Sequence, residues 1–344
     1  MDGLAVRNPI SSPPRFELPA RACEVTILLP AYNEEKAIGH VLYEIVDALE
    51  HEPLHFEILI VDDASTDDLS FITAKYTGRL YLQLLRLQTN SGPGAARNAG
   101  ARAAAGEILL FTDADCVPAP DWLEKMLAPM TDPGLTGVKG VYQTFQNDLW
   151  ARLAQLEFEE RYEKLASHGE IDFIDTYCGA YRKSVFLAAG GFNPELRQNE
   201  DVDLAFRIKK AGARFLFAPE ARVAHTHREG WLAYARLKYW RGYWRMRIYR
   251  QHLQKAGNDT YTPWTLKVQL ALLTLFPVAL FSKQLRFYWK AIWLGTCIPL
   301  ARLALPERPV LAILTPLFCL IRGLALLSGM AAGLTSWWKK TLKT

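Results

Sequence analysis

The sequence predicts an α/β fold: a mainly parallel, doubly wound, Rossmann-like sheet flanked by helices, followed by an α-helical, membrane-associated region. Three observations predict it. Short apolar runs alternate with stretches of helical spacing between residues 24 and 112, the pattern of β-α units that feed a parallel sheet. Acidic residues follow directly on the ends of two of these runs, at Asp62-Asp63 and Asp113-Ala114-Asp115. Residues 264–338 are far more apolar than residues 1–255.

The elements follow in order. Glu24–Leu29 is a β-rich run ending at Pro30. Glu34–His51 places Ile38, Val41, Leu42, Ile45, Val46 and Leu49 on one helical face. Phe56–Val61 is a second strand, and a short helix over Asp67–Tyr76 follows it. Leu80–Leu87 reads as a third strand. Ala95–Ala105 is an Ala-rich helix stopped at Gly106, and Glu107–Thr112 is a fourth strand. Ligands of such sheets bind beyond the carboxyl ends of the strands. Tyr32-Asn33-Glu34, Asp62, Asp63, Asp113 and Asp115 all fall at that edge.

Each of these residues has a candidate role and a plainer alternative. Asp113 and Asp115 can converge on one hard cation, which can clamp a diphosphate; the alternative is an acidic loop. Tyr32 can pack on a base or sugar and Glu34 can accept hydrogen bonds, although Asn33 and Glu34 also suit a helix start. Asp63 can accept from the imide N–H of a uracil-like base, or cap the next helix. Asn90 to Asn98 is a Gly-rich turn opening a helix. Its amides favour an anion and Arg97 adds a charge; a tight turn with a surface Arg is the alternative.

Ile27-Leu28-Leu29-Pro30-Ala31-Tyr32-Asn33-Glu34, Val61 to Asp67, Gly94-Ala95-Ala96-Arg97-Asn98, Thr112 to Asp115, Gly190-Gly191-Phe192-Asn193 and Asn199 to Leu204 resemble, in order, the motifs of the family 2 glycosyltransferases. Those are inverting enzymes with the GT-A fold, and the resemblance runs from about residue 24 to 230. It implies that Pro30, Ala31, Tyr32, Glu34, Asp63, Gly94, Arg97, Asp113, Ala114, Gly179 and Glu200 hold the nucleotide-sugar donor. It implies that Asp113 and Asp115 bind Mg²⁺ or Mn²⁺, joined by His225 or His227, each of which also suits a surface or capping role. Asp201 matches the catalytic base, and Cys178-Gly179-Ala180 the loop that approaches the donor sugar. The processive members carry a Gln-x-x-Arg-Trp motif after the base. Here that region reads Tyr239-Trp240-Arg241-Gly242-Tyr243-Trp244-Arg245, so a single-sugar transfer is expected, and Asp63 favours a UDP-sugar as the donor.

The net charge of +4 and the absence of any nucleic-acid module motif argue against a nucleic-acid partner. Five Cys without metal-type spacing suggest reduced thiols. Residues 1–22 read as a flexible segment without a signal-peptide pattern, and 23–230 as the catalytic domain. Residues 231–262 mix aromatics with Arg and Lys as an interfacial helix does. Residues 263–338 hold three apolar segments, Leu266–Phe281, Tyr288–Leu305 and Val310–Leu334, expected to give two or three transmembrane or re-entrant helices; 339–344 is a basic tail. The expected setting is the inner, cytoplasmic membrane with the catalytic domain facing the cytoplasm, and the expected acceptor a lipid, a lipid-linked glycan or a polysaccharide. Two other classes are weighed. A nucleotidylyltransferase would want a basic Gly-rich loop after the first strand, where Pro30 to Glu35 stands instead. A non-catalytic membrane scaffold would have lost a metal or base carboxylate, and Asp113, Asp115 and Asp201 are all present.

Overall fold

The structure, a computed structural model, describes residues 23–49, 56–76, 81–252 and 259–341. The expected flexible segment 1–22, the ends of expected elements at 50–51 and 80, residues 253–258 of the expected interfacial stretch, and tail residues 342–344 lie outside the described residues.

Strand β1 (Val25–Ala31) pairs in parallel with β2 (Phe56–Asp62) on one side and β4 (Ile108–Thr112) on the other, and β2 carries β3 (Leu82–Arg86) outward. Successive side chains point to opposite faces. Ile27, Leu29, Ile58, Ile60 and Leu110 therefore enter one core, and Leu28, Leu59, Val61, Leu109 and Phe111 the other. Both faces are covered, which is why these strands are continuous apolar runs and not alternating ones. Helices α1 (Glu35–Leu49), α2 (Leu69–Ala74) and α3 (Pro93–Ala103) connect them. The register Ala31↔Asp62 and Leu28↔Phe111 sets the carboxyl ends of all three strands at one edge.

The other half of the sheet is mixed. The full order is β3-β2-β1-β4-β7-β6-β8-β5. Its members are β5 (Cys116–Pro118), β6 (Gly137–Gln143), β7 (Cys178–Arg182) and β8 (Phe215–His225). β7 is antiparallel to β4 and β6, β6 is parallel to β8, and β5 is antiparallel to β8. Helices α4 (Trp122–Leu127), α5 (Leu149–Ala166), α6 (Lys183–Ala188) and α7 (Glu200–Lys210) complete this part.

Among the described residues five helices follow: α8 (Trp231–Gln251), α9 (Trp264–Thr274), α10 (Phe276–Ala279), α11 (Lys283–Ala304) and α12 (Pro309–Thr341). They share a third core with α5, in which Leu153 and Leu156 meet Tyr234, Trp293, Leu300, Leu311 and Phe318. Among the described residues one helix, over Pro309–Thr335, is long and apolar enough to cross a membrane, where the sequence reading gave two or three. The first apolar segment breaks after 11 residues of α9, and α11 carries Lys283, Arg286, Lys290 and Arg302. Midway along α12, buried Arg322 donates to Gln269 at 2.8 Å and faces Glu160 of α5 at 3.7 Å. α12 is thus fastened, through α5, to the sheet and its flanking helices.

Candidate active site

The loops after β1 and β2 are laced together. Asn33 Oδ1 accepts from the Thr66 backbone N–H at 2.8 Å, and the Asn33 N–H donates to Ser65 Oγ at 3.0 Å. Asn33 and Ala64 hold φ of 58° and 60°, a region that non-glycine residues occupy at a cost and that clusters at functional sites. Asp67 accepts from the Glu35 N–H at 2.9 Å, and Asp68 takes the start of α2 by accepting from Ser70. Asp63 is therefore not needed as a cap. It is buried, and its two oxygens accept from the N–H groups of Ser91 and Gly92 at 2.8 and 2.7 Å. That fixes the turn before α3 against the end of β2.

These loops enclose an open cleft of about 820 Å³. Pro30, Ala31, Tyr32, Glu34, Asp63, Gly94, Arg97, Asp113, Ala114 and Asp115 all line it. Tyr32 is exposed, so its ring is free to receive a flat ligand. Arg197, Gln198 and Arg228 also line the cleft and were not singled out from sequence. Their signal was position alone, two of them just before Glu200-Asp201 and one just after His227.

The acidic pair occupies the turn between β4 and β5, closed by the Cys116 N–H on the Asp113 carbonyl at 3.0 Å. Asp113, Asp115 and Cys116 bring ligand atoms within 4.8 Å of one another. Burial and the two neighbouring carboxylates push the Cys116 thiol well above its usual range, and sulfur suits a soft ion where the two carboxylates suit a hard one. Asp113 is tied by Arg97 at 2.5 Å, while the Asp115 side chain is 46% exposed.

β8 decides between the two histidines. Its register sets His225 opposite Cys116, which brings His225 Nε2 to 3.5 Å from Asp115 Oδ2. His225 Nδ1 is buried with no hydrogen-bond partner among the described residues. His227 turns inward, with Nε2 2.9 Å from Gln155 Oε1. Burial and nearby His225 depress it to about 3, so it is neutral. Burial raises the Asp115 carboxyl, but His225 and Cys116 outweigh that and hold it below its ordinary value. Glu34 is pushed up by burial and by Asp115, Asp67 and Asp113. Such crowding of carboxylates is relieved by a cation. Oxygen donors, an adjacent imidazole with an orphaned nitrogen and excess negative charge together fit a hard divalent ion.

Asp201 lies next door. Arg97 is buried and bridges Asp113 and Glu200, the latter at 3.0 Å, so it joins the acidic turn to the first turn of α7. Asp201 and Glu200 line a second cavity of about 320 Å³. The cleft and this cavity share Arg97, Asp113, Arg197 and Gln198. Burial, with Glu200 and Asp175 nearby, pushes the Asp201 carboxyl up to about 8, a value suited to a general base near neutrality. Gly179 stands apart. It lies within β7, not in a loop, and faces the Asp175 carbonyl so closely that a Cβ would sit 2.4 Å from it. It lines neither cavity.

This fold and this site define an α/β protein of the GT-A kind, with carboxylates gathered at the sheet edge. Residues 26–188 match the description of glycosyl transferase family 2, and residues 108–334, well over half of the chain, match that of glycosyl transferase family group 2. The chain belongs to the family 2 glycosyltransferases. The pre-mycofactocin glycosyltransferase of Mycobacterium tuberculosis (strain CDC 1551 / Oshkosh) is 29% identical over 224 residues, covering 61% of this chain and 45% of that protein. The matched region is thus less than half the length of that relative. Glycosyltransferase AglE of Haloferax volcanii is 28% identical over 208 residues, covering 59% of this chain and 67% of AglE. The mannosyltransferase PcManGT of Pyrobaculum calidifontis, solved with GDP-Man and Mn²⁺, superposes with a TM-score of 0.60 at 20% identity, over 94% of this chain and 91% of that one. That likeness speaks for the fold.

Proposed function

We propose that this protein is a membrane-associated, inverting glycosyltransferase. It moves a single sugar from a nucleotide-sugar, a UDP-sugar by preference, to a lipid, lipid-linked or polysaccharide acceptor. The observation that carries this reading is the Arg97 bridge. It sets the Asp113–Asp115 turn of the open cleft beside Asp201 in the adjoining cavity. Donor and acceptor sites that meet at a shared wall are what one displacement requires.

The nucleotide would lie along Pro30–Glu34 and Asp63, with its base against Tyr32. Asp115, Asp113 and His225 would hold Mg²⁺ or Mn²⁺, which when bound supplies positive charge for the departing diphosphate. Arg197 and Arg228 add positive charge along the same cleft. Asp201 takes the proton of an acceptor hydroxyl as that oxygen attacks the anomeric carbon opposite the diphosphate, which inverts the centre. General-base help of this kind is worth roughly 10²–10⁴-fold.

Membrane association is supported by the outward apolar side chains of the C-terminal helices and of the turn between α10 and α11. Phe281, Phe287, Ile298 and Ile313 are 63–88% exposed, more apolar surface than a water-facing helix bundle presents. We place the protein at the inner face of the cytoplasmic membrane, with the catalytic domain in the cytoplasm. The test is a screen of UDP-, GDP- and dTDP-sugars on detergent-solubilised protein with Mn²⁺ and with EDTA. Metal-dependent binding or slow hydrolysis of one donor is expected; no binding of any donor would sink the reading.

A further inference from the structure

The second cavity lies between the catalytic domain and helices α8, α9 and α12. Its wall at the catalytic domain carries Asp201, Glu200, Glu157 and Asp175; its far wall is Leu266, Leu270, Leu326 and Met330. The charges lining it are unequally accounted for. Glu157 is held by Lys238 at 2.6 Å and by Arg161, Asp175 by Lys139, and Glu200 and Asp113 by Arg97. Asp201 is then the one lining carboxylate with no cation within 4 Å among the described residues, and Arg245 is a cation whose charge reaches it. Against it stand three lining guanidiniums, Arg197, Arg241 and Arg245, and no carboxylate lies within 4 Å of any of them among the described residues.

Arg241 and Arg245 are one helical turn apart on α8, so both face the cavity. α8 is held at this place. The Arg241 carbonyl accepts from Asn199 Nδ2 at 3.3 Å, and Gly242 packs so closely that a Cβ would lie 2.3 Å from the Leu326 carbonyl oxygen of α12. The arginines rest on aromatic faces, Arg241 6.0 Å from the Phe158 ring and Arg245 6.0 Å from the Tyr261 ring, which orients them without forming an ion pair. A pair of guanidiniums with no carboxylate within 4 Å among the described residues is suited to a phosphate, which takes paired N–H donors. The adjoining apolar wall, on helices that we assign to the membrane side, is suited to a hydrocarbon tail.

We propose that this cavity is the acceptor site and that the acceptor is a phosphate-bearing lipid, its phosphate against Arg241 and Arg245 and its tail along Leu266, Leu270, Leu326 and Met330. The proposal rests on the transferase reading, in that Asp201 at the same cavity is taken to act on the acceptor.

The test is equilibrium binding of octyl phosphate, octanol and inorganic phosphate to the full chain in detergent, with UDP binding measured in parallel. Octyl phosphate is expected to bind at least roughly tenfold more tightly than either of the other two, with an affinity that falls as salt rises. R241Q/R245Q and L270Q/M330Q are each expected to weaken it by roughly tenfold or more while UDP binding stays within about twofold. Octanol binding as well as octyl phosphate would overturn the anionic half of the proposal. Inorganic phosphate binding as well would make this a free-phosphate site and overturn the lipid half. Unchanged affinity in folded R241Q/R245Q would overturn the whole. The wild-type comparison needs no variant and stands if either variant fails to fold. UDP failing to bind while octyl phosphate does would instead strike the donor reading and leave the lipid site in place.

Discussion

Arg97 and Asp113 form a 2.5 Å ion pair, and the same guanidinium reaches Glu200 at 3.0 Å. One buried cation thus holds an oxygen of the acidic turn and the first turn of α7. Asp113 enters the cleft with one oxygen fixed and the other available, and Asp201, next to Glu200, is located by the same contact. Burial works against the charge on Arg97, but Asp113 and Glu200 outweigh it, and the guanidinium stays protonated.

Removing that cation leaves two carboxylates facing each other without compensation. Breaking a buried ion pair from one side costs about 3–5 kcal/mol. Arg97→Met is expected to lower stability by about that much in thermal unfolding and to abolish nucleotide-sugar binding. Arg97→Lys keeps the charge but cannot span both acids in a fixed fork, so it is expected to fall between. Wild-type stability in Arg97→Met would show that the bridge is incidental.

Asp115 is the carboxylate left free for a cation, since Asp113 is tied by Arg97. Asp115→Ala is expected to abolish any difference between Mn²⁺ and EDTA in nucleotide-diphosphate binding, and Asp113→Ala to weaken that difference. His225→Ala is expected to reduce apparent Mn²⁺ affinity by roughly 10–100-fold, the scale on which groups supporting a metal site act. His227→Ala is expected to leave metal affinity alone, because its ring is committed to Gln155. Equal effects of the two histidine variants would contradict the assignment made from the register of β8.

Asp201 yields a pH prediction. Its carboxyl is raised to about 8 by burial beside Glu200 and Asp175. A general base works deprotonated, so the rate should be low at pH 6 and rise as pH passes through about 8. Asp201→Asn is expected to lose roughly 10²–10⁴-fold in the slow hydrolysis of the donor, where water is the acceptor, and to flatten that rise while nucleotide affinity holds. Full turnover in Asp201→Asn would remove the base assignment.

The sequence made the parallel half of this fold legible and the other half not. β1, β2 and β4 are buried on both faces and stop at polar turns, so their bounds and the ligand edge follow from apolar runs alone. β6 hides because it reads Gly-Val-Lys-Gly-Val-Tyr-Gln, with Lys139 buried and paired to Asp175. β7 is a short strand whose partners, β4 and β6, lie tens of residues away in the chain. α5 escapes periodicity because its buried side includes Gln155, Glu157, Glu160 and Arg161, polar groups whose partners come from distant parts of the chain: Tyr142 and His227 for Gln155, Lys238 for Glu157, Thr265 and Arg322 for Glu160, and Tyr261 for Arg161. In the site, the carboxylates were readable from position. Arg97's bridging role, the choice of His225 and the cavity against α8 were not, because each depends on which distant strand or helix arrives beside it.

The contact between α8 and α12 is expected to be intolerant of any side chain. A Cβ on Gly329 would lie 1.9 Å from the Tyr239 carbonyl oxygen, and one on Gly333 2.6 Å from that of Tyr243. Both obstacles are backbone, so relief requires the helices to part. Gly329→Ala is expected to cost about 1–3 kcal/mol, read as a lower unfolding temperature, with nucleotide binding in the distant cleft preserved at low temperature. A neutral Gly329→Ala would mean that α12 is not seated on α8 as described.

The proposed membrane attachment is expected to have two separable parts. Apolar side chains such as Phe281, in the turn before α11, and Phe287 and Ile313, on α11 and α12, are exposed, and Lys283, Arg286 and Lys290 stand among them on α11. Apolar burial in lipid is insensitive to salt, whereas attraction of surface cations to anionic lipid fades with it, at about 1 kcal/mol per cation when unscreened. Flotation with anionic and with neutral vesicles separates the two. Lys283→Gln with Arg286→Gln and Lys290→Gln is expected to remove the preference for anionic vesicles without releasing the protein from either kind. Phe281→Asp with Phe287→Asp is expected to weaken binding to both, at low and at high salt. Because Arg322 ties α12 to Glu160 and Gln269 of neighbouring helices, an Arg322→Leu change is expected to loosen the catalytic domain from the attached helices, seen as faster proteolysis between them, and not to strengthen insertion alone. Equal protease resistance of Arg322→Leu and the wild type would show that the tie does not hold the two parts together.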